Sequence, residues 1–314
     1  MKSAVLFLVF NRPETTQEAF QAIRAAQPAR LYVSADGPRA GRPSEVEQCT
    51  SVRAIACAVD WPCEVHTLFQ EVNLGCKAGV VAGIDWFFTH EDEGIILEDD
   101  VLPDPSFFLF CDELLEYYRE DTRVSAISGC NLISEHFSAE SSYFFSRYCH
   151  VWGWATWRRA WDHYDVAMSE WPAWRSRVGL GQTFSSRSTE EFWRRLFDDT
   201  FDGNIDTWDF QWLFACWRRD TVCAVPTHTL THNLGFGAEA THTTGAMPSY
   251  VRAAQTRSMR FPLTHPGSVE RCAPADLQID RVVFGSSAYS RFRMSVKALA
   301  RSLRWPRFLA HSKD

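Results

Sequence analysis

The chain lacks the features that mark several common protein classes. It has ten cysteines, but no two stand at C-x-x-C spacing, which excludes the usual zinc and thioredoxin-type readings. Core filling is the expected role of these thiols. No apolar run reaches the ~18 residues a membrane span needs. The opening stretch MKSAVLFLVFNRPE has only a short apolar run, AVLFLVF, and no small-residue cleavage site, so it does not read as a signal peptide. A cytoplasmic protein with reduced thiols is expected. Excess positive charge is missing too: 32 Lys and Arg face 39 Asp and Glu, a net charge of −7. That argues against nucleic acid as a partner, which calls for a basic face. An anionic small ligand carried with a metal ion is not excluded. No internal repeat or low-complexity tract is visible.

What is present is ordinary for a globular protein: 314 residues, 46% hydrophobic and 23% charged. The first third alternates strand and helix signals. SAVLFLVF, RLYVSADG, CEVHTLFQ, GIIL and RVSAIS read as strands. Between them, RPETTQEAFQAIRAAQ, SEVEQCTSVRAIACAV, KAGVVAGIDWFFTH and DPSFFLFCDELLEYYRE read as helices. Pro13 suits a first helical turn, and Asp104 followed by Pro105 is a capping signal. Such alternation predicts an α/β fold with a mostly parallel sheet flanked by helices. Beyond about Ser141 aromatics crowd in, as in VWGWATWRRAWDHY and EWPAWRSR. Two further helices, STEEFWRRLFDDTF and TWDFQWLFACWRRD, precede a strand TVCAVP and the segment THTLTHNLGFGAEATHTTG.

The stretch GIILEDDVLPDPSFF sets three carboxylates directly behind an apolar strand. Burying one of them without a partner is costly. Side chains alternate along a strand, so Glu98 and Asp100 would share a side and Asp99 the other. The run sits at the carboxyl end of an expected central strand, where open α/β sheets bind ligands. A hard divalent cation needs only one or two carboxylates when substrate phosphates complete its shell. The bland alternative is a solvated acidic turn before a capped helix.

The strand, the EDD run and the helix behind it resemble the GT-A glycosyltransferases, and more narrowly the N-acetylglucosaminyltransferase I family and its bacterial relatives. LVFNRPETT, LYVSADG, ISGCN, VWGWATWRRAW, TWDFQW and THTLTHNLGFG resemble further segments of that family in the same order. The likeness covers roughly residues 1–245. It implies a GT-A-type, Rossmann-like domain over 1–245, with a nucleotide-sugar half (1–135) and an aromatic-rich acceptor and catalytic half (136–245). A C-terminal extension (246–314) with a basic helix would follow. The implied activity is inverting transfer from a nucleotide sugar, most often UDP-linked, to a hydroxyl of a glycan or lipid-linked acceptor, with Mn²⁺ or Mg²⁺. By the same resemblance Asp100 would ligate the metal, Asp99 reach the ribose or sugar, and Glu98 the sugar hydroxyls. Asp36 would accept from the base edge, Asn11 and Arg12 would lie in the nucleotide loop, and Lys77 would meet a phosphate.

The chemistry asks for two separate acids. A sugar hydroxyl is a weak nucleophile, so a carboxylate must take its proton. The leaving diphosphate gathers charge that a cation stabilises. Asp209 in TWDFQW is the expected base and Asp206 the reserve; the competing role for either is a helix N-cap. His228 and His232 are four apart, but in extended chain they would stand ~13 Å from each other, too far to share an ion. His232 alone remains as an extra metal or phosphate contact. Most tryptophans are expected in the core, with Trp152 and Trp154 facing the acceptor. Gly153, Gly235 and Gly237 fit sharp turns or close backbone approach. Residues 290–307 interleave Arg and Lys with apolar side chains, which suits either an anionic membrane surface at the inner face or a packed terminal helix.

Two other functions compete. A sugar nucleotidyltransferase would carry a Gly-rich loop after the first strand, where this chain reads FNRPETTQE without glycine. A non-catalytic nucleotide-sugar or glycan-binding domain would have no need of both Asp100 and an acid near 209.

Overall fold

A computed structural model describes residues 1–177, 187–236 and 247–284. Residues 290–307 and Gly237 lie outside this set. The first strands form where expected: β1 (Ala4–Val9), β2 (Arg30–Ala35), β3 (Glu64–Phe69) and β4 (Glu93–Glu98). They pair in parallel in the order β3-β2-β1-β4. Helices α1 (Pro13–Ala26), α2 (Pro43–Ala56) and α3 (Cys76–Phe88) supply the crossovers. Both α1 and α2 begin with proline, whose missing N–H costs nothing in a first turn. Along β1, Leu6 and Leu8 enter one core layer while Val5, Phe7 and Val9 enter the other. A strand buried on both faces reads as a continuous apolar run, which is why SAVLFLVF shows no polar alternation.

After β4 come β5 (Val101–Pro103) and α4 (Pro105–Tyr117). The Asp104 carboxylate caps α4 by accepting from Ser106 N at 2.9 Å. β6 (Val124–Ser128) was expected, but it does not pair with β4. Between them lies β8 (Trp154–Trp157), antiparallel to both, with Ala155 opposite Ile95 and Ile127. β7 (Tyr143–Ser146) and β9 (Val222–Pro226) complete an eight-stranded sheet in the order β3-β2-β1-β4-β8-β6-β9-β7. Only β7 and β8 run against the rest, so the fold is α/β, Rossmann-like and mostly parallel. A two-stranded ribbon pairs β5 with β10 (Thr231–Asn233).

Within the aromatic-rich stretch Trp154–Trp157 form a central strand, while Trp152 and Trp174 stay half-buried. Trp154 is 1% exposed and packs against Trp161, Trp208 and Trp212. Short helices α5 (Arg158–Trp161) and α6 (Trp171–Arg177), then α7 (Arg187–Phe201) and α8 (Asp209–Arg218), follow. The described residues beyond 245 pack on the sheet. α9 (Ser249–Ala253) and the segment behind it return to the sheet, where Arg257 N donates to Thr229 O and Cys272 N to Phe145 O. α10 (Ala273–Val282) buries two acids, Asp276 and Asp280, against Arg147. Among the described residues no helix is long and apolar enough to cross a membrane.

Candidate functional site

The positive charge that the acid run calls for comes from the chain itself. Arg12, just past the carboxyl end of β1, donates from Nη2 to Asp99 Oδ1 at 2.6 Å and from Nη1 to Asp100 Oδ2 at 2.8 Å. β1 lies beside β4 in register, Leu8 opposite Glu98, so the two strand ends bring these groups together. Asp99 is 2% exposed and also accepts from Phe10 N at 3.0 Å. Its expected reach to ribose or sugar is corrected: it is buried between two protein donors and anchors Arg12. Burial, against the Arg12 charge, moves its carboxyl upward.

β4 ends at Glu98, and Asp99 and Asp100 lie in the turn behind it and bond the same guanidinium, so the expected strand alternation does not run through the three acids. Burial first, then the charges of Asp100 and Asp99, push the Glu98 carboxyl well above the usual carboxylate range. The charge of Asp209 adds to this. The Cys76 thiol, at the start of α3, feels Glu98, Asp209, Asp206 and Asp100 together, after burial, and is held neutral. Asp100 keeps 14% side-chain exposure. The chain after β10 closes over it: Leu234 N donates to Asp100 O at 2.7 Å, and a Cβ on Gly235 would stand 2.1 Å from Oδ2. Only glycine lets the backbone pass so near. Gly153 has a comparable need, with φ +72° and Thr231 Cγ2 2.7 Å from an added Cβ.

α8 begins at Asp209 itself, where Thr207 Oγ1 and Phe210 N (2.9 Å) both donate to Oδ1. The Thr207 hydroxyl, two residues upstream, is a site feature the sequence reading missed, though the T-x-D spacing carries it. Asp206 is 74% exposed and pairs with Lys77 at 3.2 Å, tying the start of α3 to the loop before α8. Asp36 is committed elsewhere. Its Oδ1 accepts from Gly37 N and Leu74 N, and its Oδ2 from Asn73 Nδ2 and Gly75 N. A carboxylate offers about four acceptor positions, so a base edge would have to displace the 73–75 loop. This corrects the expected base contact.

Asn11 is half-buried at the end of β1, with no hydrogen bond from its side chain among the described residues. His232 sits in β10 opposite Leu102, half-buried, while its neighbours Thr231 and Asn233 turn inward. Trp152 is half-buried and meets Phe236 edge-on at 5.7 Å. Trp154, expected beside it at the acceptor, is instead core.

The donor set near Asp100 is oxygen, which suits Mn²⁺ or Mg²⁺ rather than a soft metal. Among the described residues no group of three or more His, Cys, Asp or Glu could hold a metal. Asp100, paired with Arg12, is the residue that would give such an ion an oxygen ligand, with phosphates completing its shell.

No family model matches the chain, and no curated protein matches it. Among solved structures it is similar to a UDP-glucose pyrophosphorylase complexed with UDP-glucose, at 13% identity and TM-score 0.26, over 46% of this chain and 62% of that one. It is similar to HddC from Yersinia pseudotuberculosis at 11% identity and TM-score 0.25, over 40% and 58%. It is also similar to mouse xyloside xylosyltransferase 1 at 9% identity and TM-score 0.34, over 70% and 84%. The chain thus spans less than two thirds of the first two. Likeness at this level transfers no residue role.

Proposed function

We propose that the chain is a metal-dependent, inverting glycosyltransferase that moves a sugar from a nucleotide sugar, UDP-linked, to a hydroxyl of a glycan or lipid-linked acceptor. One observation carries the reading. An excess of carboxylates, Glu98 and Asp100 on β4 and its turn with Asp209 opposite on α8, converges at the carboxyl end of the parallel strands with Arg12 as its cation. Burial and mutual repulsion raise the Glu98 carboxyl, and Asp100 and Asp209 remain with one arginine between them, which suits a ligand that brings positive charge.

Asp100 would hold the Mn²⁺ or Mg²⁺ ion, which when bound supplies positive charge to the leaving diphosphate. Glu98, largely protonated without ligand, can donate to and accept from sugar hydroxyls. Asp209 takes the acceptor proton as the acceptor oxygen bonds to the anomeric carbon and the bond to the diphosphate breaks. Thr207 and Phe210 N orient its carboxylate for that role. Asp206, exposed and paired with Lys77, is the weaker candidate. Arg12, paired with Asp99 and Asp100, would lie beside the nucleotide with Asp99 as its anchor.

The test is a thermal-shift titration of the full chain with UDP-sugars, with and without Mn²⁺, followed by hydrolysis and transfer assays. A UDP-sugar is expected to raise the melting temperature only when metal is present, and Asp209→Asn is expected to keep that shift while losing transfer. No shift with any nucleotide sugar would sink the proposal. A shift without turnover on any acceptor would leave a binding domain.

A further inference from the structure

The two edges of the large sheet are treated differently. Outside β7 the chain's own residues 264–272 run along the strand: Ser142 N donates to Thr264 O, Cys272 N donates to Phe145 O, and Phe145 forms a bridge with Arg271. At the opposite end β3 pairs with β2, and no described residue pairs with its outer edge. Glu64 N and Gln70 N donate to Ala29 O and Ala35 O on the β2 side. Backbone groups alternate in direction along a strand, so the N–H and C=O groups of Val65, Thr67 and Phe69 point outward.

Folds blunt a bare edge with lysine, proline, a bulge or a covering segment. Among the described residues β3 has none of these. It reads EVHTLF, its register with β2 runs unbroken, and its one carboxylate, Glu64, stands at the first position. Val65 and Phe69 are 37% and 38% exposed, and Val72 and Leu74 in the loop behind them are exposed too. Val65, Thr67 and Phe69 stand beside Leu31, Val33 and Ala35 of β2 and continue the face that those residues bury. Arg53 of α2 reaches one end of this stripe, 4.9 Å over the Phe69 ring. The rest of it faces solvent.

The occupant that completes this edge is the same strand from a second copy, antiparallel about a twofold axis at Thr67. Each outward residue then meets an outward residue: Val65 faces Phe69, Thr67 faces Thr67, and Phe69 faces Val65. Residues opposed in this way exchange both of their hydrogen bonds, so every outward N–H of the two strands finds a carbonyl. An axis at Val65 or Phe69 would leave outward groups unpaired. The side chains fit as well, because an aromatic ring opposite a β-branched residue is a favourable cross-strand pair. So do the charges. Glu64, held by His66 Nε2 at 2.9 Å, falls opposite Gln70 of the second copy, and the two Glu64 side chains stand roughly 20 Å apart along the ladder. We propose that β3 is the interface of a homodimer in which the two large sheets join edge to edge.

The experiment is sedimentation velocity on the full chain over a concentration series reaching about 100 μM, with hydrogen exchange of residues 63–70 followed by mass spectrometry. A dimer of the 36.0 kDa chain is expected. It closes at two copies because a twofold contact uses the same patch on both, and exchange at the outward amides slows as it forms. Val65→Lys sets a lysine on the edge, and Thr67→Pro removes the central outward N–H without touching the bonds to β2. Each should weaken association at least about tenfold with an unchanged circular dichroism spectrum. Where Thr67→Pro disturbs the fold, Val65→Lys decides alone. A monomer at every concentration would overturn the proposal. Slow exchange at 63–70 in that monomer would mean that the chain's own residues cover β3, and fast exchange that the edge stays open. A dimer that survives Val65→Lys, one that forms without slowing exchange at 63–70, or assembly beyond two copies would overturn it as well.

Discussion

Two clusters of buried acids in this molecule obey different arithmetic. At the end of β4, Glu98, Asp99 and Asp100 share Arg12, and Asp209 adds its field from α8. Under α10, Asp276 and Asp280 meet Arg147 and Arg271, and the hydroxyls of Ser146 and Tyr148 donate to them. Two acids face two cations in the second cluster, with Asp276 Oδ2 held by ion pairing rather than by a hydrogen bond. Arg147 Nη2 reaches Asp280 Oδ2 at 2.8 Å, Arg271 Nε reaches Asp276 Oδ2 at 3.1 Å, and Ser146 Oγ donates to Asp276 at 2.6 Å. Balance of this kind docks a helix. Imbalance at a strand end leaves room for a ligand that brings charge with it.

The sharpest way to break the comparison is to unbalance the balanced cluster. Arg147→Ala leaves two buried acids with one cation and should cost about 3–5 kcal/mol, read from the urea midpoint, with metal-dependent nucleotide-sugar binding retained in the fraction that folds. Unchanged stability would show the α10 cluster to be dispensable. The converse change, Asp100→Ala, removes one acid from the crowded cluster. It should lower transfer by about 10²–10³-fold with little loss of stability, and a large loss of stability would assign Asp100 a structural role.

The balanced cluster also has a pH signature. Burial lifts Asp276 from 3.8 to about 6, against the pull of Ser146, Arg147 and Arg271. Its ion pairs and its raised value point in opposite directions; at 2% exposure the loss of solvent outweighs the paired charges. The folded state therefore holds the proton more tightly than the unfolded chain. Asp276 costs nothing below about pH 4, its cost grows between about pH 4 and about 6, and it is constant above that. Relative to wild type, Asp276→Asn should gain stability across that window, by on the order of 2 kcal/mol, measured as unfolding midpoints at a series of pH values. A difference that stays flat with pH would refute the shift. The smallest effect belongs to the surface pair: Lys77→Met should change stability by less than about 1 kcal/mol, since Asp206 is 74% exposed. Its effect on nucleotide-sugar affinity measures whether Lys77 reaches a phosphate.

Much of the first third was readable in advance because its signals are local. Apolar runs bounded by turn residues mark β1 to β4, and Pro13, Pro43 and the Asp104–Pro105 pair mark helix starts. The second half was not. β7 and β8 are four residues each and buried on both faces, too short for any period to show, and tryptophan reads equally as core or as a sugar platform. Trp154 fell on the wrong side of that choice. Asp36 and Asp99 show a related limit: a carboxylate in a sequence does not reveal which N–H groups of the fold will fill it.

The sequence alone determined that this is an α/β protein and that three acids end its fourth strand, because strand, helix and cap signals act over a few residues. Only the tertiary structure decided how those acids are used. Arg12 lies 88 residues from Asp100, and β8 enters between β4 and β6 from beyond α4. Such contacts depend on which surfaces are left to bury once the local elements have formed.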